Sequence, residues 1–146
     1  MKKTFVTLFA FLVIGMGISI ASEKKEVDPK IISAFQKEFS FAKNVKWELK
    51  GEFAQVNFTL NDQGLVAWFS LDAELLGTAR NILYMQLPLT VIRSLEQDYT
   101  DAGLSGIVEI TRSNETFYHI YAERKNKKFL LEAYPSGSIT VLKKIK

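Results

Sequence analysis

The sequence predicts an α+β fold in which a helix followed by an antiparallel meander of about four strands occurs twice, with both helices packed on one face of the sheet. Three observations carry this expectation. From Asn44 to Leu71 the chain alternates apolar and polar residues in three runs separated by turn-forming residues. Ahead of those runs, Ile31, Ile32, Phe35 and Phe39 recur at helical spacing. The same spacing returns 60 residues later, where Ile92, Leu95 and Tyr99 follow Ile32, Phe35 and Phe39.

The chain begins with Met1-Lys2-Lys3, then an uncharged apolar run from Phe5 to Ile20, then Ser19-Ile20-Ala21 ahead of a polar stretch. A basic start, an apolar centre and small residues at the end are the layout of a secretory signal peptide, with cleavage expected between Ala21 and Ser22. The run nears the length of a membrane span, and the small residues favour cleavage. The membrane is therefore expected to be met only through residues 1–21, and a second apolar run of spanning length is missing from the sequence. The predicted organisation is signal peptide 1–21, first helix-plus-sheet unit with its connection 22–86, and second unit 87–146.

In the first unit, Asp28-Pro29 reads as N-cap and first helical residue of a helix running to about Phe41. Val45, Trp47 and Leu49, then Ala54, Val56, Phe58 and Leu60, then Leu65, Ala67, Phe69 and Leu71 are the expected core-facing residues of three strands. Lys50-Gly51-Glu52 and Asn61-Asp62-Gln63-Gly64 are expected turns. A fourth short strand is expected from Leu75 to Thr78, and residues 79–86, which lack a period, as the connection. In the second unit, Leu87-Pro88 opens a helix. A loop from Thr100 to Gly106 follows, then strands Ile107–Arg112 with Val108 and Ile110 inward, Thr116–Arg124, Lys128–Tyr134 and Ser138–Leu142.

Composition narrows the function. Of the formal charge of +3, Lys2 and Lys3 supply two, which leaves residues 22–146 near neutral with charges interspersed. No basic stripe interleaved with aromatics points to nucleic acid. The lysines at 125, 127, 128, 143, 144 and 146 read as solvated turn and tail residues. The chain has no cysteine, which removes disulfides, thiolate ligands and a thiol nucleophile. His119 is the only histidine and falls mid-strand, so neither a catalytic triad nor an imidazole metal site is expected. Asn61-Asp62-Gln63-Gly64 reads as a hairpin turn and lacks the downstream glutamate of a calcium loop. Gly103-Leu104-Ser105-Gly106 follows a helix, so it is no phosphate loop. No cofactor and no enzymatic activity are expected.

The stretch Phe39-Ser40-Phe41-Ala42-Lys43-Asn44-Val45-Lys46-Trp47-Glu48, the alternating strands after it, and Leu87-Pro88 before a helix ending at Tyr99 resemble the PepSY-like, beta-lactamase-inhibitor-like proteins exported by Bacteroidetes. The resemblance spans nearly all of residues 28–142, and Ala-x-x-Val-x-Trp is its most specific part. Ser40 stands where that family usually has proline, and Glu74 where it often has a turn glycine. The resemblance implies paired helix-plus-sheet units and a non-enzymatic, protein-binding role.

The face opposite the expected core carries Phe53, Trp68, Phe117, His119 and Tyr121. An uncovered sheet face is normally polar, and aromatic residues there suit a partner surface. The expected function is an exported, periplasmic or secreted binding module that engages a protein or peptide through this open face. The alternative is a carrier holding a small apolar ligand between helices and sheet.

Overall fold

The computed structural model describes residues 26–145; the expected signal peptide and its Ala21–Ser22 cleavage site lie outside them. Helix α1 (Pro29–Glu38) leads into strands β1 (Lys43–Lys50), β2 (Phe53–Leu60), β3 (Gln63–Ser70) and β4 (Leu75–Ile82). A short 3-10 turn (Tyr84–Gln86) connects to helix α2 (Leu89–Asp98) and strands β5 (Gly103–Arg112), β6 (Glu115–Arg124), β7 (Lys127–Ala133) and β8 (Ile139–Ile145). The strands form one eight-stranded antiparallel sheet in sequence order, β1 to β8. Among the described residues, no helix is long and apolar enough to cross a membrane.

Local chemistry explains the boundaries. The Asp28 carboxylate accepts the Lys30 backbone N–H at 2.9 Å, and Pro29 occupies the first helical turn, where its missing N–H has no partner to lose. Asn61–Asp62, Ser113–Asn114 and Lys125–Asn126 all have positive φ and each joins two strands through two residues. That is the turn whose twist matches antiparallel strands, and asparagine and aspartate tolerate it best among residues with a side chain. The longer β3–β4 and β7–β8 turns close on equivalent hydrogen bonds, Ser70 N–H to Glu74 O and Tyr134 N–H to Ser138 O, both 2.9 Å.

The strand register fixes two sets of side chains. On the first face, Val56, Ala67, Thr78, Thr111 and Thr116 form one cross-strand row, and Arg80, Glu109, Tyr118 and Ala133 form the next. Ile31 and Phe35 of α1 are buried with Ala54, Val56, Phe58, Ala67 and Phe69. Val91 and Leu95 of α2 are buried with Ile107, Tyr118, Ile120, Ala122, Leu131 and Ala133. Phe35 is the hub of the first cluster, with its ring centroid 5.4 Å or less from those of Phe39, Trp47 and Phe58.

Several expected boundaries shift. The first helix ends at Glu38, and Phe41 beyond it is 80% exposed. Val45 is also exposed, because the register of β1 slips between Lys43 and Lys46. Leu71 lies in a turn. The strand expected to stop at Thr78 runs to Ile82, so the connection is shorter than residues 79–86. Its first-face residues Thr78 and Arg80 are polar and hide the alternation. Arg80 is held by Glu109 (2.6 Å) and Gln63 (3.3 Å). The expected loop 100–106 is mostly strand, with a bulge between Leu104 and Ile107 absorbing the glycine-rich sequence. Val108 and Ile110 face away from α2, and Ile107 takes the core position instead.

The two helix-bound clusters share no residue, which makes a double-mutant test. Phe35→Ala should destabilise by about 3–5 kcal/mol and Leu131→Ala by about 2–5 kcal/mol in urea unfolding. Their effects should add to within about 0.5 kcal/mol in the double variant. A larger coupling would mean that the two clusters act as one core.

Candidate functional site

The second face of the sheet is built by the alternate residues. Gln55, Trp68, Gly77, Arg112 and Glu115 form one cross-strand row; Asn57, Val66, Ala79, Ile110 and Phe117 form a second; Asn81, Val108, His119 and Glu132 form a third. Phe53, Trp68, Phe117, His119 and Tyr121 all fall on this face. They do not form one patch. Trp68 and Phe117 are buried, at 1% and 9% exposure, in a third apolar cluster with Ala79 and Ile110, and Phe53 packs at its border. The Trp68 indole Nε1 donates to the Gln55 side-chain oxygen at 3.2 Å. His119 and Tyr121 are half-buried and belong to two other features.

Tyr121 forms one wall of a concavity of about 710 Å³ that crosses β1 to β6. Its floor is apolar and low, made by Val66, Ala79 and Val108 with Gly64 beside them. The opposite wall is Asn44, Lys46 and Asn57, and Asn81 and Ser105 stand at one end. Gly106 sits at the β5 bulge with φ +79, a left-handed conformation that glycine adopts without strain. A Cβ there would lie 3.5 Å from the Tyr121 ring, so the glycine lets the ring lie against the strand. Burial raises the Tyr121 phenol above its ordinary pKa. Asn44 donates to the Thr59 hydroxyl at 3.4 Å, across the β1 bulge.

His119 pairs across strands with Glu132, Nε2 to Oε2 3.2 Å, and the Tyr134 hydroxyl donates to the other carboxylate oxygen at 2.7 Å. The Phe117 ring lies 5.4 Å from the imidazole and 6.1 Å from the Tyr134 ring, and the Arg112 guanidinium lies over it at 5.9 Å. Both Glu132 oxygens are engaged, so the pair is a hydrogen-bonded strut across β6 and β7. Among the described residues, no group of three or more histidines and carboxylates gathers to hold a metal ion. The polar residues of the concavity were not expected from the sequence, where a lysine or asparagine on a strand reads as solvated.

No protein-family model matches the sequence, and no curated protein matches it. Solved structures do. A chain from Bacteroides eggerthii, described among "putative periplasmic proteins", is 16% identical, with a TM-score of 0.73 over 82% of this chain and 88% of that one. A BLIP-like protein from Bacteroides fragilis is 23% identical, with a TM-score of 0.72 over 80% of this chain and 84% of that one. A DUF2874 family protein from Bacteroides ovatus is 19% identical, with a TM-score of 0.72 over 82% and 87% of the two chains. The fold is the one these Bacteroides proteins share, as the sequence resemblance implies.

The Glu132 hydrogen bond is the largest influence on Tyr134 and raises its pKa; burial and the negative charges of Glu132 and Glu115 add to the rise, and Arg112 opposes it. A phenol with a raised folded-state pKa stabilises the fold below its unfolded value of about 10, and that stability is lost as pH rises through the folded value. In an ultraviolet phenolate titration, Glu132→Gln should move the Tyr134 component, identified with Tyr134→Phe, to lower pH. The alkaline loss of stability should become shallower. An unchanged titration would remove Glu132 as the cause.

Proposed function

We propose that the protein is an exported, non-enzymatic binding module that engages a protein or peptide through the second face of its sheet. It would consist of two equivalent helix-plus-four-strand units, with both helices on the first face. Equal element order and helices beginning and ending 60 residues apart support the equivalence. The continuous register from Val56 to Thr116, with each helix bound to residues of that same set, supports one helix-bearing face. Export rests on the signal-like residues 1–21 and on the periplasmic description of the Bacteroides eggerthii relative.

The observation that carries the binding reading is the concavity beside Tyr121. A sheet face covered by neither helix holds a shaped site with an apolar floor and converging amide and hydroxyl groups, which is the composition of a recognition surface. A small apolar ligand suits it less well, because Asn44, Asn57 and Asn81 would lose water without gaining partners. The single histidine, with its Glu132 partner committed at both oxygens, favours a binding role over catalysis.

The test uses residues 22–146 as bait for a library of displayed unstructured peptides, with Tyr121→Lys as counter-bait. Selected peptides should bind the native chain at least about tenfold more tightly than the variant, the loss expected when an aromatic anchor is removed. Equal binding to both would reject the second face near Tyr121 as the binding surface.

A further inference from the structure

The concavity is distinguished by its charge. Its 15 lining residues include Lys46 and Arg80 and no aspartate or glutamate, in a chain that carries 16 acidic residues. The Arg80 side chain belongs to the first face, where Glu109 and Gln63 hold it. Lys46 is exposed on the second face opposite Asn57 and makes no ion pair among the described residues. The carboxylate nearest along its strand, Glu48, is taken by Lys50 at 2.6 Å. The wall therefore presents one uncompensated ammonium between two side-chain amides, Asn44 and Asn57, above a floor of Val66, Ala79 and Val108.

That combination selects a ligand chemistry. An ammonium donates up to three hydrogen bonds, the Asn57 amide two and the Asn44 amide one beside its bond to Thr59, and a carboxylate accepts about four. Hydrogen bonds to an ionised acceptor are roughly twice as strong as neutral ones. The apolar floor, closed on the far side by the Tyr121 ring, suits an aliphatic or aromatic side chain next to the acid. A neutral or basic segment would leave Lys46 unpaired or repelled at the moment its water is displaced.

We infer that the concavity takes a polypeptide segment bearing an aspartate or glutamate side chain beside an apolar residue, with Lys46 as the charge partner and Asn44 and Asn57 as flanking donors. This rests on the binding reading above and goes further by naming the partner's chemistry. The charge complementarity, rather than the apolar area, sets the choice, so specificity and association rate should depend on Lys46 and on salt.

The test repeats the peptide selection on the native chain, on Lys46→Glu and on Lys46→Gln, with folding checked by circular dichroism. Lys46 is exposed, so these variants should keep the fold. Peptides selected on the native chain should be enriched in aspartate or glutamate next to an aliphatic or aromatic residue. Their affinity should fall by about tenfold or more in Lys46→Glu and by less in Lys46→Gln, with the salt dependence weakened in both. Selection on Lys46→Glu should return lysine or arginine at the same place. Peptides lost on Tyr121→Lys but neutral in composition and indifferent to Lys46 would overturn this inference and leave the binding reading standing. Peptides that bind only through a free C-terminal carboxylate, losing affinity on amidation whatever their internal acids, would also overturn it. Binding indifferent to both Tyr121 and Lys46 would overturn the two together.

Discussion

The pairing of β4 with β5 is the constraint on which the rest of the molecule depends. Gly77 to Ile82 run against Arg112 to Ile107 without a slip, and this alone joins strands β1–β4 to strands β5–β8. On the first face the seam is polar except at its Ile82–Ile107 end. Thr78 faces Thr111, Arg80 faces Glu109, and the Thr111 and Thr116 hydroxyls meet at 3.1 Å. The α2-bound cluster reaches only its Ile82–Ile107 end, so along Thr78 and Arg80 the strands are held by backbone ladder, a charge-assisted bond and close approach. Gly77 is part of that approach, because a Cβ would lie 2.8 Å from the Thr111 carbonyl oxygen. Any larger residue must push β5 away. The concavity on the second face lies across this same seam, with walls from β1 and β6. Its shape is therefore set by a pairing that α2 reinforces only at the Ile82–Ile107 end.

Register carries that constraint outward. Every strand pairs only with its sequence neighbours, and three of the seven connections are two-residue turns with both residues left-handed. Such turns leave no freedom in the offset of the strands they join. A one-residue slip at Asn61–Asp62 would turn Trp68 to the α1 side and Phe69 to the groove side. Turn chemistry at the rim thus decides which residues meet at the centre. Two of the four register shifts act differently: in β1 and β5 they place Asn44 and Gly106, both with positive φ, at the edges of the concavity.

The legible part of this architecture was the part with a clean apolar period. Ala54, Val56 and Phe58 against Gln55 and Asn57 announced a strand with one buried side, and Ile31 with Phe35 a helix to cover it. The end of β4 was illegible because Thr78 and Arg80 face a polar seam, and its other side carries Gly77, Ala79 and Asn81. No alternation survives where both faces break the pattern. In β5 and β6 both faces are apolar, so Val108 and Ile110 looked as suited to the core as Ile107. The second face itself was legible, since Phe53, Trp68, Phe117, His119 and Tyr121 share it. The concavity was not, because its polar wall consists of residues whose ordinary place is water, and only their convergence in space separates Lys46 from the chain's other lysines.

That convergence bears on how far the shared fold extends to function. The similar Bacteroides structures reach TM-scores of 0.72 to 0.73 at 16 to 23% identity, so the same fold is reached with most side chains different. The fold constrains residues that pack, such as Phe35, Ile120 and Leu131. It constrains Asn44, Asn57, Asn81 and Ser105 little, because they are exposed or half-exposed. Aspartate has nearly the shape of asparagine and tolerates the positive φ of position 44 almost as well. Acidic residues at these positions would neutralise Lys46 without disturbing the core. Folding therefore does not demand a concavity free of carboxylates. The groove's charge is therefore set by side chains that packing leaves free, and it is not dictated by the architecture.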